Sequence, residues 1–110
     1  MALTPKLLYQ GRPTDTAASV LVPTSGITYV VTEIWAYENS GGTPTLTIYH
    51  HNAGTTFNTT TFIHALVFTA NLPLRLTGLN IVLDNTSSNL GMKSSTTQQV
   101  TVTVYGYQIT

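Results

Sequence analysis

The sequence predicts an all-β protein, an antiparallel β-sandwich of about eight strands with little or no helix. Apolar and polar residues alternate with a period of two in most segments, which is typical of half-buried strands. Turn-forming residues separate these segments at intervals of roughly 8 to 12 residues. No stretch of helical length has an apolar stripe free of Gly, Pro or a run of Thr. We therefore expect a jelly-roll-like sandwich, with a seven-stranded immunoglobulin-like topology as the alternative.

The first half of the chain contains one candidate for a central strand. Residues 27–37 (ITYVVTEIWAY) are apolar on both faces, as expected when both sides of a strand are covered. In a later strand Leu46 and Ile48 alternate with threonines, which predicts one buried face. The candidate strands of this half are residues 7–10, 19–22, 27–37 and 45–49.

The second half ends in the most regular alternation of the sequence. Val100, Val102 and Val104 fall on one face of the last strand, and Thr and Tyr fall on the other. Residues 54–61 (GTTFNTTT) form the longest predicted loop. The candidate strands of this half are residues 62–68, 72–76, 79–84, 90–93 and 100–107.

The length of 110 residues predicts one domain. We assign residues 14–110 to a single β-sandwich domain. Residues 1–13 form either an N-terminal arm that lies on a neighbouring subunit or an edge strand of the chain's own sheet. Of these two alternatives, we expect the arm.

The charge content restricts the classes of partner. Only 7% of the residues are charged, and four cations balance four carboxylates, whereas a typical soluble domain is roughly a quarter charged. A nucleic-acid-binding protein needs a basic patch that displaces counterions, and the four cations are too scattered to form one. We therefore expect no nucleic-acid partner, no membrane partner and no small-molecule ligand. The four cations are Lys6, Arg12, Arg75 and Lys93.

The titratable residues do not suggest a catalytic or metal site. His50 and His51 are adjacent on a predicted strand, so their side chains point to opposite faces and cannot share one ion. His64 could join only one of them, and a zinc site needs three or four ligands. The four carboxylates are well separated in the sequence, and the nucleophile motif of serine hydrolases is absent. We predict no catalytic residues, no metal, no cofactor and no enzymatic activity.

The aromatic residues of the central strand indicate an interaction surface. A strict period of two places Tyr29, Trp35 and Tyr37 on one face. A sandwich of this size buries one inner layer per sheet, so apolar residues on both faces of a strand predict that another subunit covers the outer one. A platform on which a sugar ring stacks is the alternative.

Glu33 lies inside the same apolar run and would need a partner such as Arg12 or Arg75, within the chain or across an interface. The N-terminal segment adds leucines and a tyrosine that could contact a neighbour. The predicted interface with a second subunit or a capsid comprises Leu3, Pro5, Leu7, Leu8, Tyr9, Tyr29, Glu33, Trp35 and Tyr37.

Several segments together resemble the small virion structural proteins of tailed bacteriophages. A Val22-Pro23 step leads through Gly26 to Ile34, residues 39–48 form a hairpin pattern (NSGGTPTLTI), and residues 100–106 (VTVTVYG) belong to the last strand. The similar segments are MALTPKLLYQGRPT, SVLVPTSGITYVVTEIWAYENSGGTPTLTIYH, LVFTANLPLRLTGLNIVLDN and QVTVTVYGYQIT. The Thr-rich residues 52–62 and Trp35 depart from the family pattern.

This resemblance implies a capsid decoration (cement) protein, made in the host cytoplasm and located in the virion, on the outer surface of the head. Such a protein would be a homo-oligomer, with a trimer favoured, and would bind the major capsid protein or another virion protein. The alternative within the same resemblance is a tail, neck or baseplate-associated module that recognises a receptor or glycan.

Overall fold

The computed structural model describes residues 3–39, 41–69 and 71–110, and within these ranges it contains nine β-strands and no helix. The all-β class predicted from the sequence is therefore confirmed. The strands are β1 (Leu3–Gly11), β2 (Ala18–Leu21), β3 (Thr28–Glu38), β4 (Thr45–His51), β5 (Phe62–Val67), β6 (Pro73–Leu76), β7 (Ile81–Leu83), β8 (Asn89–Ser94) and β9 (Val100–Ile109).

The strands form two antiparallel sheets with the order of a jelly roll. The first sheet has the order β1-β9-β3-β6, and β7 pairs with the same edge of β3 as β6 does. The second sheet has the order β2-β8-β4-β5. If β6 and β7 are counted as one interrupted strand, the first strand pairs with the last, the second with the next to last, and so on inward. This is a long antiparallel hairpin wound into a sandwich, which confirms the predicted jelly-roll-like fold of about eight strands.

The core lies between the two sheets and follows the alternation of the sequence. Val100, Val102 and Val104 of β9 have no exposed surface, and the same is true of Leu46 and Ile48 of β4. Each fully buried aliphatic side chain of this kind stabilises the fold by about 1.5–3 kcal/mol. The remaining buried apolar residues include Val31, Ile34, Phe68, Leu83, Leu90 and Met92.

A bulge in β3 reverses which residues of this strand face the core. The register against β9 shifts between Val31 and Glu33. Before the shift, Tyr29 lies opposite the fully buried Leu83 and faces inward, whereas Trp35 and Tyr37 lie after it and are exposed. The prediction that all three aromatic residues share one face is therefore wrong for Tyr29. A strict period of two fails because the bulge adds one residue to β3.

Gly106 of β9 lies where this bulge meets its partner strand. A Cβ atom at this position would collide with the carbonyl oxygen of Val30. The absence of a side chain therefore allows the backbones of β3 and β9 to approach each other at the shift in register.

Residues Leu3–Gly11 form an edge strand of the chain's own sheet, paired with β9. Leu7 lies opposite the exposed Tyr105, but a bulge between Leu7 and Tyr9 places Tyr9 opposite the buried Val104. Tyr9 and Leu8 consequently pack against the core, and burial raises the pKa of the Tyr9 hydroxyl above its ordinary value. Leu8 and Tyr9, which are predicted from the sequence to belong to an interface, are thus half-buried against the core of their own chain.

Glu38, the last residue of β3, connects two turns from inside the protein. Its side chain is fully buried, and its Oε2 accepts hydrogen bonds from the backbone N–H of Gly41 at 3.1 Å and of Asn71 at 2.9 Å. Charge-assisted bonds of this kind are stronger than neutral ones. The carboxylate thereby joins the turn after β3 to the turn before β6.

We expect Glu38→Ala to lower the free energy of unfolding by about 2–4 kcal/mol, because two backbone donors lose a charged acceptor and a cavity remains. Glu38→Gln keeps one acceptor oxygen and should cost less. Urea denaturation measures both variants, and Asp15→Ala, at an exposed loop position, is the control that should stay within about 0.5 kcal/mol. Equal stability of Glu38→Ala and Asp15→Ala would contradict this role of the carboxylate.

Candidate interaction face

The two sheets differ in what covers their outer faces. On the second sheet the β4–β5 loop folds back, so that the Phe57 ring lies 5.8 Å from the ring of Tyr49. Gly91 leaves room for this ring, since a Cβ there would collide with Phe57. Tyr49 is therefore only 6% exposed, whereas Trp35 and Tyr105 on the outer face of the first sheet are 43% and 40% exposed. The large aromatic side chains of the first sheet are left in contact with solvent.

The strand register arranges this outer face in rows that run across β1, β9 and β3. Residues opposite each other in antiparallel strands share a face, so Pro5, Tyr107, Val30 and Val82 form one row. Leu7, Tyr105 and Glu33 form the next. We call the apolar members of these rows, together with Leu3, the apolar patch: Leu3, Pro5, Leu7, Val30, Val82, Tyr105 and Tyr107.

The side chains of the apolar patch are unusually exposed for apolar residues. Leu3 and Leu7 are 61% and 49% exposed, and Tyr107 and Val82 also retain more than a third of their surface. A shallow depression of about 470 Å³ lies between Leu7 and Tyr107 and is floored by the backbone at Gly106. Contiguous apolar surface of this kind on a small protein marks an interaction site.

The other half of the face is a groove of about 510 Å³ with a different chemistry. Its two rows place Arg75, Trp35 and Thr103 side by side, followed by Pro73, Tyr37 and Thr101. The groove thus has aromatic rings in one column, with hydroxyl groups on one side and a guanidinium on the other. We call these six residues the aromatic groove.

The contacts of Trp35 hold the groove in shape. The Arg75 guanidinium carbon lies 4.9 Å from the centroid of the indole, a cation–π geometry. Tyr105 contacts the indole edge-on at a centroid distance of 6.1 Å, and the indole Nε1 donates to Glu33 Oε2 at 3.0 Å. Glu33 is therefore hydrogen-bonded to Trp35, and among the described residues of the chain it forms no ion pair with Arg12 or Arg75.

The structure brings six of the nine predicted interface residues onto this one face. They are Leu3, Pro5, Leu7, Glu33, Trp35 and Tyr37, whereas Leu8, Tyr9 and Tyr29 pack against the core. Tyr105 and Tyr107 lie on the same face but are not among the nine predicted residues, although the alternation of the last strand places both on the side opposite the buried valines. Arg75, Pro73, Thr101 and Thr103 could not be found, because no sequence pattern gives the register between β6, β3 and β9.

The histidines are separated as expected, and the described residues contain no group of three or more His, Asp or Glu that could hold a metal ion. His51 Nδ1 accepts from the backbone N–H of Thr56 and supports the β4–β5 loop. His50 lies on the other side of β4, with Nε2 at 3.2 Å from Ser88 Oγ. Burial lowers the pKa of His50, partly opposed by the charge of Asp84.

Searches among protein-family models, curated proteins and solved structures found no match for this chain. Within residues 3–39, 41–69 and 71–110, no helix is both long and apolar enough to cross a membrane. The geometry of the face and the sequence are therefore the basis for a functional proposal.

We expect acid to destabilise the protein partly through His50. Because its pKa is lowered by folding, the unfolded chain binds a proton more readily, and stability falls as the pH drops through about 6.5. The free energy of unfolding between pH 7.5 and 5 should therefore decline less in His50→Gln than in the wild type. His64→Gln, on exposed β5, removes a histidine without touching the His50–Ser88 contact. Parallel profiles for His50→Gln and the wild type would rule out this contribution.

Proposed function

We propose that the protein is a structural component of a tailed-bacteriophage virion, most consistently a capsid decoration protein that binds the outer head surface as a homotrimer. The observation that carries the proposal is the apolar patch, which the chain leaves uncovered, whereas its own loop covers Tyr49 on the opposite sheet. The resemblance of the sequence segments to small phage virion proteins supplies the class.

The energetics of the apolar patch favour association. Removing Leu3, Leu7, Tyr105 and Tyr107 from water gains about 25 cal/mol for each Å² of apolar surface. The N–H and C=O groups beneath them already pair within the sheet, so little polar surface is lost on contact. A partner that covers this patch is therefore bound at low desolvation cost.

The low charge of the chain supports a permanent interface over a transient one. With only 7% charged residues and zero formal net charge, the surface carries little long-range field that could steer a diffusing partner. Burial of hydroxyl and amide groups costs less than burial of ions, and near-zero net charge promotes association. The resulting contacts should depend only weakly on salt.

The size of the face supports several contacts per molecule. The length of β9 makes the outer face roughly 33 Å long and four strands make it roughly 15 Å wide. The whole face therefore offers about 500 Å², of which the apolar patch is about half. One side of a standard stable interface buries about 800 Å². A single copy would hold its partner weakly through this face alone, and a trimer on a repeated lattice gains the required affinity by multivalency.

The test is whether the apolar patch carries assembly. Wild-type protein should be trimeric by light scattering and should bind phage heads from which it has been removed. Leu7→Asp combined with Tyr107→Ser should lower both trimer content and head occupancy at least tenfold, since a desolvated charge opposes the contact. Circular dichroism verifies that the variant is folded.

The matched control is Val67→Asp, which places the same charge at a 69% exposed apolar position on β5 of the second sheet. It should leave oligomeric state and head binding unchanged. A monomeric wild type that does not bind heads would overturn the proposed function. Normal assembly of the Leu7/Tyr107 variant would instead show that another surface forms the interface.

A further inference from the structure

We propose that the aromatic groove is a binding site for an acidic saccharide, in which the pyranose ring lies along Trp35 and Tyr37 and its carboxylate is bound by Arg75. This site is distinct from the apolar patch and adds a recognition function to the structural one.

The floor of the groove fits a saccharide in shape and chemistry. Trp35 and Tyr37 are two residues apart on β3, so their side chains project from the same face about 7 Å apart, and both are more than 40% exposed. The apolar faces of sugar rings pack on aromatic surfaces, while ring hydroxyls need hydrogen-bond partners. Thr101 and Thr103 present hydroxyl groups directly beside the aromatic column. The groove volume of about 510 Å³ lies in the usual range for ligand sites.

The charge of the groove selects an acidic ligand. Arg75 stacks on Trp35, and no described residue is hydrogen-bonded or ion-paired to its guanidinium. A guanidinium held over an aromatic face keeps its N–H groups available in its own plane, where they match a carboxylate. In a chain with four cations in 110 residues, an unpaired arginine in a groove is a specific feature.

A second cation lies next to the groove, beyond Thr101. Arg12 Nε donates to Thr101 Oγ1 at 3.3 Å, which anchors this side chain three strands from Arg75. Three strand spacings correspond to about 14 Å, a distance that suits an oligosaccharide better than a single sugar. The one carboxylate nearby, Glu33, is bound to the indole of Trp35. The face therefore carries a positive charge on both sides of the aromatic column.

The groove stays accessible if the apolar patch mediates assembly. The two surfaces occupy different rows of the first sheet and meet only where Tyr105 of the apolar patch contacts Trp35 edge-on. Trimer formation and saccharide binding can therefore be measured separately on the same protein.

The experiment uses trigalacturonate and its fully methyl-esterified form, which keeps the rings and removes the charges. Ligand-observed NMR and calorimetry on the full-length chain should show binding of the acid and at least tenfold weaker binding of the ester. Arg75→Gln should weaken binding of the acid at least tenfold, and Arg75→Lys should lose less because the charge remains. Trp35→Ala should weaken the binding of both the acid and the ester.

Lys93→Gln is the matched control, since it removes one positive charge from β8 of the second sheet. It should not change the affinity. If Lys93→Gln and Arg75→Gln lost the same amount of affinity, the loss would be explained by net charge alone, and the proposed site would be overturned. Failure of the wild type to bind trigalacturonate, or equal affinity for acid and ester, would also overturn it. Trimer content is the control measurement, and Arg75→Gln should leave it unchanged.

Discussion

The antiparallel pairing of β3 with β9 determines which side chains are inside the protein and which contact solvent. This ladder joins the most apolar segment of the sequence to the most regular one, and both strands lie in the interior of the first sheet. The bulge between Val31 and Glu33 divides the ladder into two parts. The alternation of inward-facing and outward-facing residues of β3 reverses from one part to the other. Tyr29 is thereby turned to the core, and Trp35 is turned outward. Without Gly106 opposite the bulge, the two backbones could not approach closely enough.

The outer face of the first sheet combines two kinds of surface on one scaffold. Its apolar half is suited to a protein partner, because burial gains free energy without stripping ions of water. Its aromatic half contains exposed rings, hydroxyls and an unpaired guanidinium, which suit a polar ligand with an apolar face. The second sheet lacks a comparable surface at Tyr49, because Phe57 covers that ring. The loop between β4 and β5 thus removes the Tyr49 ring from solvent, and no equivalent segment of the described chain lies over Trp35 and Tyr105.

The fold was predictable because the alternation of Val100, Val102 and Val104 and the turn residues between segments depend only on local sequence. The interaction face was predicted in part. Leu7 and Trp35 were identified by their apolar character and lie on this face. Leu8, Tyr9 and Tyr29 pack against the core instead, and for Tyr29 the reason is that the bulge in β3 breaks the period of two. A bulge depends on the partner strand, so one strand's sequence does not reveal it. The proximity of Arg75 to Trp35 likewise depends on register between strands distant in the chain.

The order of the strands along the sequence also has a consequence for folding. β9 lies between β1 and β3 in the first sheet but follows both in the sequence, so these two strands lack their shared partner until β9 has been synthesised. Pairings between such distant segments form slowly, and the first sheet is therefore completed only when all of its strands are available. Because the apolar patch is assembled from β1, β3, β7 and β9, it exists only in a folded molecule. A chain truncated before β9 would lack this surface, which restricts its contacts to folded subunits.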